Sequence, residues 1–250
     1  MNNLTAENQN RNRRPLGFSS SFLSPVYSGV SKEVVKMCQN MGCDAIELHC
    51  LPEEIDRFDK LFELTSDDLN DFQFISFHAP LKGKKEKEIT EIIEKIGKLH
   101  NSFHFDAVVV HADLFENQNL FKSFNLPFSV ENMDNQKKSG RTLESMKEIM
   151  SRNDFKVTLD INHAFVNDPT LKLAQDLWRE FKDRISHFHL SGFKSQGLHD
   201  PLVQTKQIEF IDFVFDKNLP IIIESFCQNL AQAKAEFNFI KSSLARQSLT

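Results

Sequence analysis

The stretch LDINHAF, residues 159–165, is an apolar run that ends in Asp160, with His163 three residues further on. A carboxylate and an imidazole just past the end of a buried strand can both reach a metal ion or a polar substrate in the mouth of an α/β fold. The pair gains its weight from repetition. Six other apolar runs end in or carry a residue of ligand type: AIE at Glu47, FISFH at His78, VVVH at His111, FSVE at Glu131, FHL at His189 and IIIE at Glu224.

Between these runs the chain reads as helices. SKEVVKMCQNMG (31–42) has Ser31 as N-cap and Gly42 as stop, and Pro52 with the two glutamates after it suits the first turn of a helix over 52–64. KEITEIIEKIGKLHNSF carries apolar residues at 89, 92, 93, 96 and 99, a helical stripe. One short helix is expected over 114–124, a capped helix in SGRTLESMKEIMSR, and further helices in DPTLKLAQDLWREFKD (168–183), QIEFIDFVFDKN and NLAQAKAEFNFIKSSLAR. LGFSS (16–20) supplies a first strand, ISHFHLSGF a seventh and PIIIESF an eighth; FKVTLDINHAF is expected to be the sixth strand and its exit loop.

Strands of about five residues thus alternate with helices eight times. Nearly all-apolar strands suit parallel pairing with both faces covered, and eight such units in this length predict one α/β domain, a (β/α)8 TIM barrel. A doubly wound open sheet, the alternative, usually has a glycine-rich first turn, which LGFSSSF lacks. The barrel is expected over 15–250, with residues 1–14 a disordered tail.

Composition narrows the function. The chain of 250 residues is 40% hydrophobic and 26% charged, with a net charge of −5. No apolar run approaches the roughly 20 residues of a membrane span, and MNNLTAENQNRNRRP reads as neither signal peptide nor anchor. Cys38, Cys43, Cys50 and Cys227 form no CxxC pair, which suggests reduced thiols and a cytoplasmic protein. A basic footprint for nucleic acid is missing overall: Arg11, Arg13, Arg14 and KGKKEK (82–87) read as a solvated tail and helix start, so nucleic acid is a disfavoured partner.

In a barrel the active site lies at the C-terminal ends of the strands. Side chains two apart along a strand face the same way, which puts Ser76, Val109, Ser129, Thr158, His187 and Ile222 one layer below His78, His111, Glu131, Asp160, His189 and Glu224. Gathering three carboxylates at one buried level without a cation is prohibitively costly or forces them to protonate. Glu131, Asp160, His189 and Glu224 form a mixed O/N set suited to Mn²⁺, Zn²⁺, Co²⁺ or Mg²⁺, and His78 and His111 could hold a second ion.

The motifs HAPL (78–81), VVVHAD, SVENM (129–133), LDINHAF, HFHLSG and IIIESF, in this order, resemble the xylose isomerase-like barrel superfamily, which joins sugar isomerases and epimerases with endonuclease IV. The resemblance spans nearly all of residues 16–230 and is more specific for fold and metal site than for substrate. On the epimerase side it implies one divalent metal on Glu131, Asp160, His189 and Glu224, and a carbohydrate-like substrate. Glu131 and Glu224 then exchange a proton with the substrate from opposite sides of the ring, and His163 binds a substrate oxygen. The family's arginine after the seventh strand has no match; Lys194 is the nearest cation. On the endonuclease IV side it implies zinc on His78, His111 and Glu131, a second ion on Asp160, His189 and Glu224, and a third on His163 with a downstream Asp-x-His. Here QGLHDPL offers His199 but has Gly197 where the Asp is expected, with Asp200 as a possible substitute. One to three ions are therefore implied. The acidic LPEEIDRFDKLFEL and a short loop after the seventh strand argue against DNA, and the expected activity is a metal-dependent sugar or sugar-phosphate isomerase or epimerase. Phosphodiester hydrolysis is the alternative.

His100 and His104 read as surface or capping groups, His187 as packed below the site and Trp178 as core. Glu47 and His49 read either as pocket lining or as a structural pair, and the 24 Phe as interior filling.

Overall fold

The computed structural model describes residues 14–24, 26–194 and 197–247. Its barrel strands are β1 (Leu16–Ser19), β2 (Ala45–His49), β3 (Phe74–His78), β4 (Ala107–His111), β5 (Phe128–Glu131), β6 (Lys156–Asp160), β7 (Ile185–Leu190) and β10 (Ile221–Ile223); β8 (Gly192–Lys194) and β9 (Gly197–Asp200) form a separate antiparallel hairpin. The eight close in parallel in the order β1-β10-β7-β6-β5-β4-β3-β2, the barrel that the alternation predicts. Closure depends on one glycine. A Cβ on Gly17 would fall 1.6 Å from the Ala45 carbonyl oxygen, so β1 can lie against β2 only with hydrogen in that place.

The runs form strands because both faces are covered. Inside, Ala45, Phe74, Ala107 and Ile222 plug the N-terminal end of the barrel. Outside, Glu86–Phe103 buries the predicted stripe of Ile89, Ile92, Ile93, Ile96 and Leu99. The helix Lys32–Met41 starts where Ser31 Oγ accepts from the Val34 amide and stops at Gly42, whose φ of 77° is left-handed. Phe18, Phe58, Phe77, Phe121, Phe128, Phe188 and Phe210 are fully buried, as interior filling requires, and Trp178 packs against the core.

Local differences have local causes. The exit loop expected after Asp160 is a helix, Ile161–Asn167, because Asp160 is at once the last strand residue and the N-cap, accepting from the His163 amide at 2.7 Å. The single helix expected over 114–124 is a 3-10 turn, Ala112–Asn117, that kinks at Phe115 before a helix Gln118–Lys122, and Pro52–Glu63 is 3-10 as well. The seventh strand ends at Leu190, and the loop after it, expected to be short, holds the β8–β9 hairpin and a helix Leu202–Thr205. Of the expected tail, 1–13 lies outside the described residues, Arg11 and Arg13 with it; Arg14 is half-buried and donates to the Phe215 carbonyl. All four cysteines are buried and free, and no described helix is long and apolar enough to cross a membrane.

Candidate metal centre

The topology brings all six predicted ligands to one rim. His78, His111, Glu131 and Asp160 are the last residues of β3, β4, β5 and β6, His189 is the penultimate residue of β7, and Glu224 follows β10. The ligand atoms of Glu131, Asp160, His189 and Glu224 lie within 4.8 Å of one another, as do those of His78, His111 and Glu131. Glu131 is shared between the two groups. Its Oε2 lies 3.3 Å from His78 Nε2 and 3.4 Å from His111 Nε2, while Oε1 lies 3.0 Å from His189 Nδ1, which is also 3.3 Å from Glu224 Oε2. One correction concerns the ring. Only β7 and β6 separate β10 from β5, so Glu131 and Glu224 flank His189 rather than facing each other across the barrel.

The charges of this cluster are mutually dependent. Glu131, Asp160 and His189 are fully buried, Glu224 is 8% exposed, and among the described residues the ion pairs to these carboxylates come only from histidines. Burial works against every charge. His189 is nevertheless held well above its usual value by Glu224, Glu47 and Glu131, and it in turn holds Glu131 below the carboxylate range and Glu224 down at about 2. His163 is held up at about 9 by Asp160 and Glu131 against its own burial. Burial pushes Asp160 up to about 7, only partly offset by His163, and its Oδ2 makes no hydrogen bond; His111 is pushed down to about 3, mainly by burial. Protons on His189 and His163 thus do the neutralising that a divalent cation can do. With three oxygen donors and one nitrogen within mutual reach, the group fits such an ion.

A cleft of about 300 Å³ opens above the cluster, lined among others by His78, His111, Glu131, His163, His199, Glu224 and Phe226. His163 enters it on the helix that Asp160 caps. Its Nδ1 donates to the Asn132 carbonyl at 2.9 Å, which leaves Nε2 for the cleft. Asn132 ties the two strand ends together: its Oδ1 accepts from the Asp160 amide at 2.8 Å and its Nδ2 donates to the Asp160 carbonyl at 3.0 Å. His199, in a left-handed backbone with φ of 67°, has Nδ1 3.1 Å from Ser191 Oγ and 3.6 Å from Glu224 Oε2.

Two expectations are not met. Lys194 is exposed on the β8–β9 hairpin and does not line the cleft, because that hairpin carries the chain outward after β7. Asp200, the possible substitute ligand, accepts instead from the Lys194 amide at 3.0 Å. Among the described residues, the lysines at the cleft are Lys82 and Lys137, from the loops after β3 and β5, with Lys137 3.4 Å from Asp113. Spacing alone missed Lys137, Asp134, whose Oδ2 is 3.9 Å from His163 Nε2, and Phe226, a 41%-exposed ring beside His199. All three sit in loops, where strand periodicity carries no information. His49 lines the cleft and stacks on His78 at 4.3 Å, whereas Glu47 is fully buried one layer below, so the two do not form a structural pair.

No protein-family model matches the sequence, and no curated protein sequence matches it. Solved structures do match. A D-tagatose 3-epimerase-like protein is 19% identical over 94% of this chain and 100% of its own, with a TM-score of 0.68. Endonuclease IV from Thermus thermophilus is 16% identical over 93% and 99%, with a TM-score of 0.67. A xylose isomerase domain containing protein from Salmonella typhimurium is 15% identical over 93% and 97%, with a TM-score of 0.61. At these identities the likeness establishes the fold alone, a (β/α)8 TIM barrel shared with these proteins.

Proposed function

We propose that the protein is a divalent-metal-dependent isomerase or epimerase of a sugar or sugar phosphate, acting in the cytoplasm. The observation that carries this reading is the pair Glu131 and Glu224, which meet at His189 Nδ1 at 3.0 and 3.3 Å beneath a cleft of about 300 Å³, at the small end for ligand sites. Glu53, Asp134, Glu131 and Glu224 give the cleft wall an acidic character that Lys82 and Lys137 only partly offset, which suits a compact polyol better than a nucleic-acid backbone.

A bound cation supplies polarisation of a carbonyl and its neighbouring hydroxyl. The side chains do the rest. Glu131 and Glu224 accept and return the proton, each kept ionised by its histidine neighbours. His163 offers Nε2 to a substrate oxygen, with its ring fixed by Asn132. Phe226 presents an apolar face at the mouth, on which the carbon-bound hydrogens of a sugar can rest. Phe226→Ala is expected to raise KM about tenfold, equivalent to about 1.4 kcal/mol, with kcat little changed; an unchanged KM removes Phe226 from substrate binding.

One observation favours a second reading. His78 and His111 both converge on Glu131 Oε2, a bridging arrangement that proton transfer between two glutamates does not need and that zinc-assisted phosphodiester hydrolysis can use. Ion counting separates the two. The protein is dialysed against Mn²⁺, Co²⁺ or Zn²⁺, analysed by plasma mass spectrometry, and assayed against ketoses, ketose phosphates and abasic DNA. One ion per chain with ketose turnover and solvent deuterium at the inverted carbon is expected; two or three zinc ions with cleavage of abasic DNA overturns the first reading in favour of the second.

A further inference from the structure

Beneath the rim lies a carboxylate that the proposed reaction does not use. Glu47, on β2, is fully buried in the barrel interior. Its Oε2 accepts from Ser76 Oγ at 2.8 Å and lies 3.2 Å from His189 Nε2 and 3.6 Å from His187 Nε2. His189 therefore bridges two layers. Nδ1 points up at Glu131 and Glu224, and Nε2 points down at Glu47.

We infer that Glu47 is a positioning residue for the candidate metal centre: it takes the Nε2 proton of His189 in a hydrogen bond and so presents the Nδ1 lone pair to an ion held with Glu131, Asp160 and Glu224. A buried ionised carboxylate is costly, and hydrogen-bond donation from Ser76 and His189 is what makes it tolerable. That donation decides the tautomer. With the proton on Nε2, Nδ1 is the free donor atom on the side where the other three ligand groups converge. The negative charge behind the ring also makes His189 a stronger donor. His187 sits on the floor of the same network: its Nδ1 lies 2.8 Å from Ser186 Oγ, and its Nε2 lies 3.2 Å from His189 Nε2. The sequence separation of 142 residues between Glu47 and His189 explains why no motif displays the pair; closing the barrel puts only β1 and β10 between β2 and β7, and the two side chains meet in its interior.

This inference rests on the metal-site reading above, and the test keeps the two apart. Mn²⁺ and Co²⁺ are titrated by calorimetry into the full chain, wild type and Glu47→Gln, after chelation and dialysis, and the visible spectrum of each Co²⁺-loaded protein is recorded. Glutamine keeps the size and removes the charge. The expected result is a Kd about 10- to 100-fold weaker in Glu47→Gln, with the ion count unchanged, the Co²⁺ bands shifted and the circular dichroism preserved. Ser76→Ala, which leaves the carboxylate but removes one of its donors, is expected to weaken binding by a smaller factor and serves if the first variant does not fold. Wild-type affinity in both variants overturns the role of Glu47 while leaving the metal centre standing. An ion count lowered by one in Glu47→Gln also overturns it, since Glu47 would then be a ligand itself. A wild-type protein that takes up neither ion overturns the metal-site reading on which the role depends.

Discussion

Glu224→Gln is expected to lower kcat by about 10²- to 10⁴-fold, the range for loss of a positioned acid or base, on whichever ketose or ketose phosphate the wild type turns over. Glutamine preserves the shape of the side chain but neither takes nor returns a proton, and it weakens one donor of the ion cluster. The fold should survive. Glu224 is 8% exposed and follows β10, its amide donates to the Leu190 carbonyl at 3.1 Å whatever the side chain, and among the described residues its carboxylate pairs only with His189 and His199. Circular dichroism is therefore expected to match wild type, while the Tm in chelator falls, because Glu224, held at about 2, and His189 stabilise each other's charged forms. Retained turnover in a folded Glu224→Gln protein sinks its assignment as base or acid. Loss of turnover caused only by metal loss is recognised by adding excess Mn²⁺, which then restores the rate.

The second large effect is on stability, and its sign follows from the histidines. His163 is held at about 9 in the folded chain against an ordinary value of 6.5. Its contribution is therefore fully present below pH 6.5 and is lost as the pH rises through 9. His189, raised for the same reason, adds in the same direction. Asp160 at about 7 also favours the protonated side, but most of its loss is complete by neutrality. His49 and His111, pushed down to about 3, weaken the fold only as the pH falls below 6.5, so they leave the alkaline window clean.

Chelated protein is thus expected to lose on the order of 3 kcal/mol between pH 7 and 9, a fall in Tm of roughly 6–12 °C for a domain of this size. Saturating Mn²⁺ should flatten or reverse that slope, because the ion displaces protons from imidazole and its affinity rises with pH. At 100 times its Kd the ion adds about 2.7 kcal/mol. Scanning calorimetry at pH 7, 8 and 9, with chelator and with Mn²⁺, reads both effects. A flat chelated profile, or a Tm indifferent to the ion, is incompatible with a proton-neutralised metal centre.

Much of this centre is legible in local sequence, because strand periodicity and chain polarity are local properties. A buried parallel strand reads as an apolar run, and its last residue is the first free to be polar, so VVVH, FSVE and IIIE each announce a residue of ligand type at the rim. Helix limits follow from equally local chemistry, as Ser31 and Gly42 show. What fails is what depends on the path of a loop or on depth inside the barrel. Lys194 is adjacent to the seventh strand in sequence yet exposed on a hairpin, while Lys137 reaches the cleft through a loop that turns at Gly140, where a Cβ would fall 2.4 Å from the Ala112 Cβ.

The sequence by itself therefore determined eight strand–helix units and six ligand-type residues at one level, since hydrophobic periodicity records which face each side chain takes. Only the tertiary structure decided which of them touch. Strand order and stagger place Glu131 between four imidazoles, set β10 three positions from β5 rather than opposite it, and sink Glu47 beneath His189. Those relations arise from hydrogen-bond register between strands far apart in the chain, and no single segment carries that information.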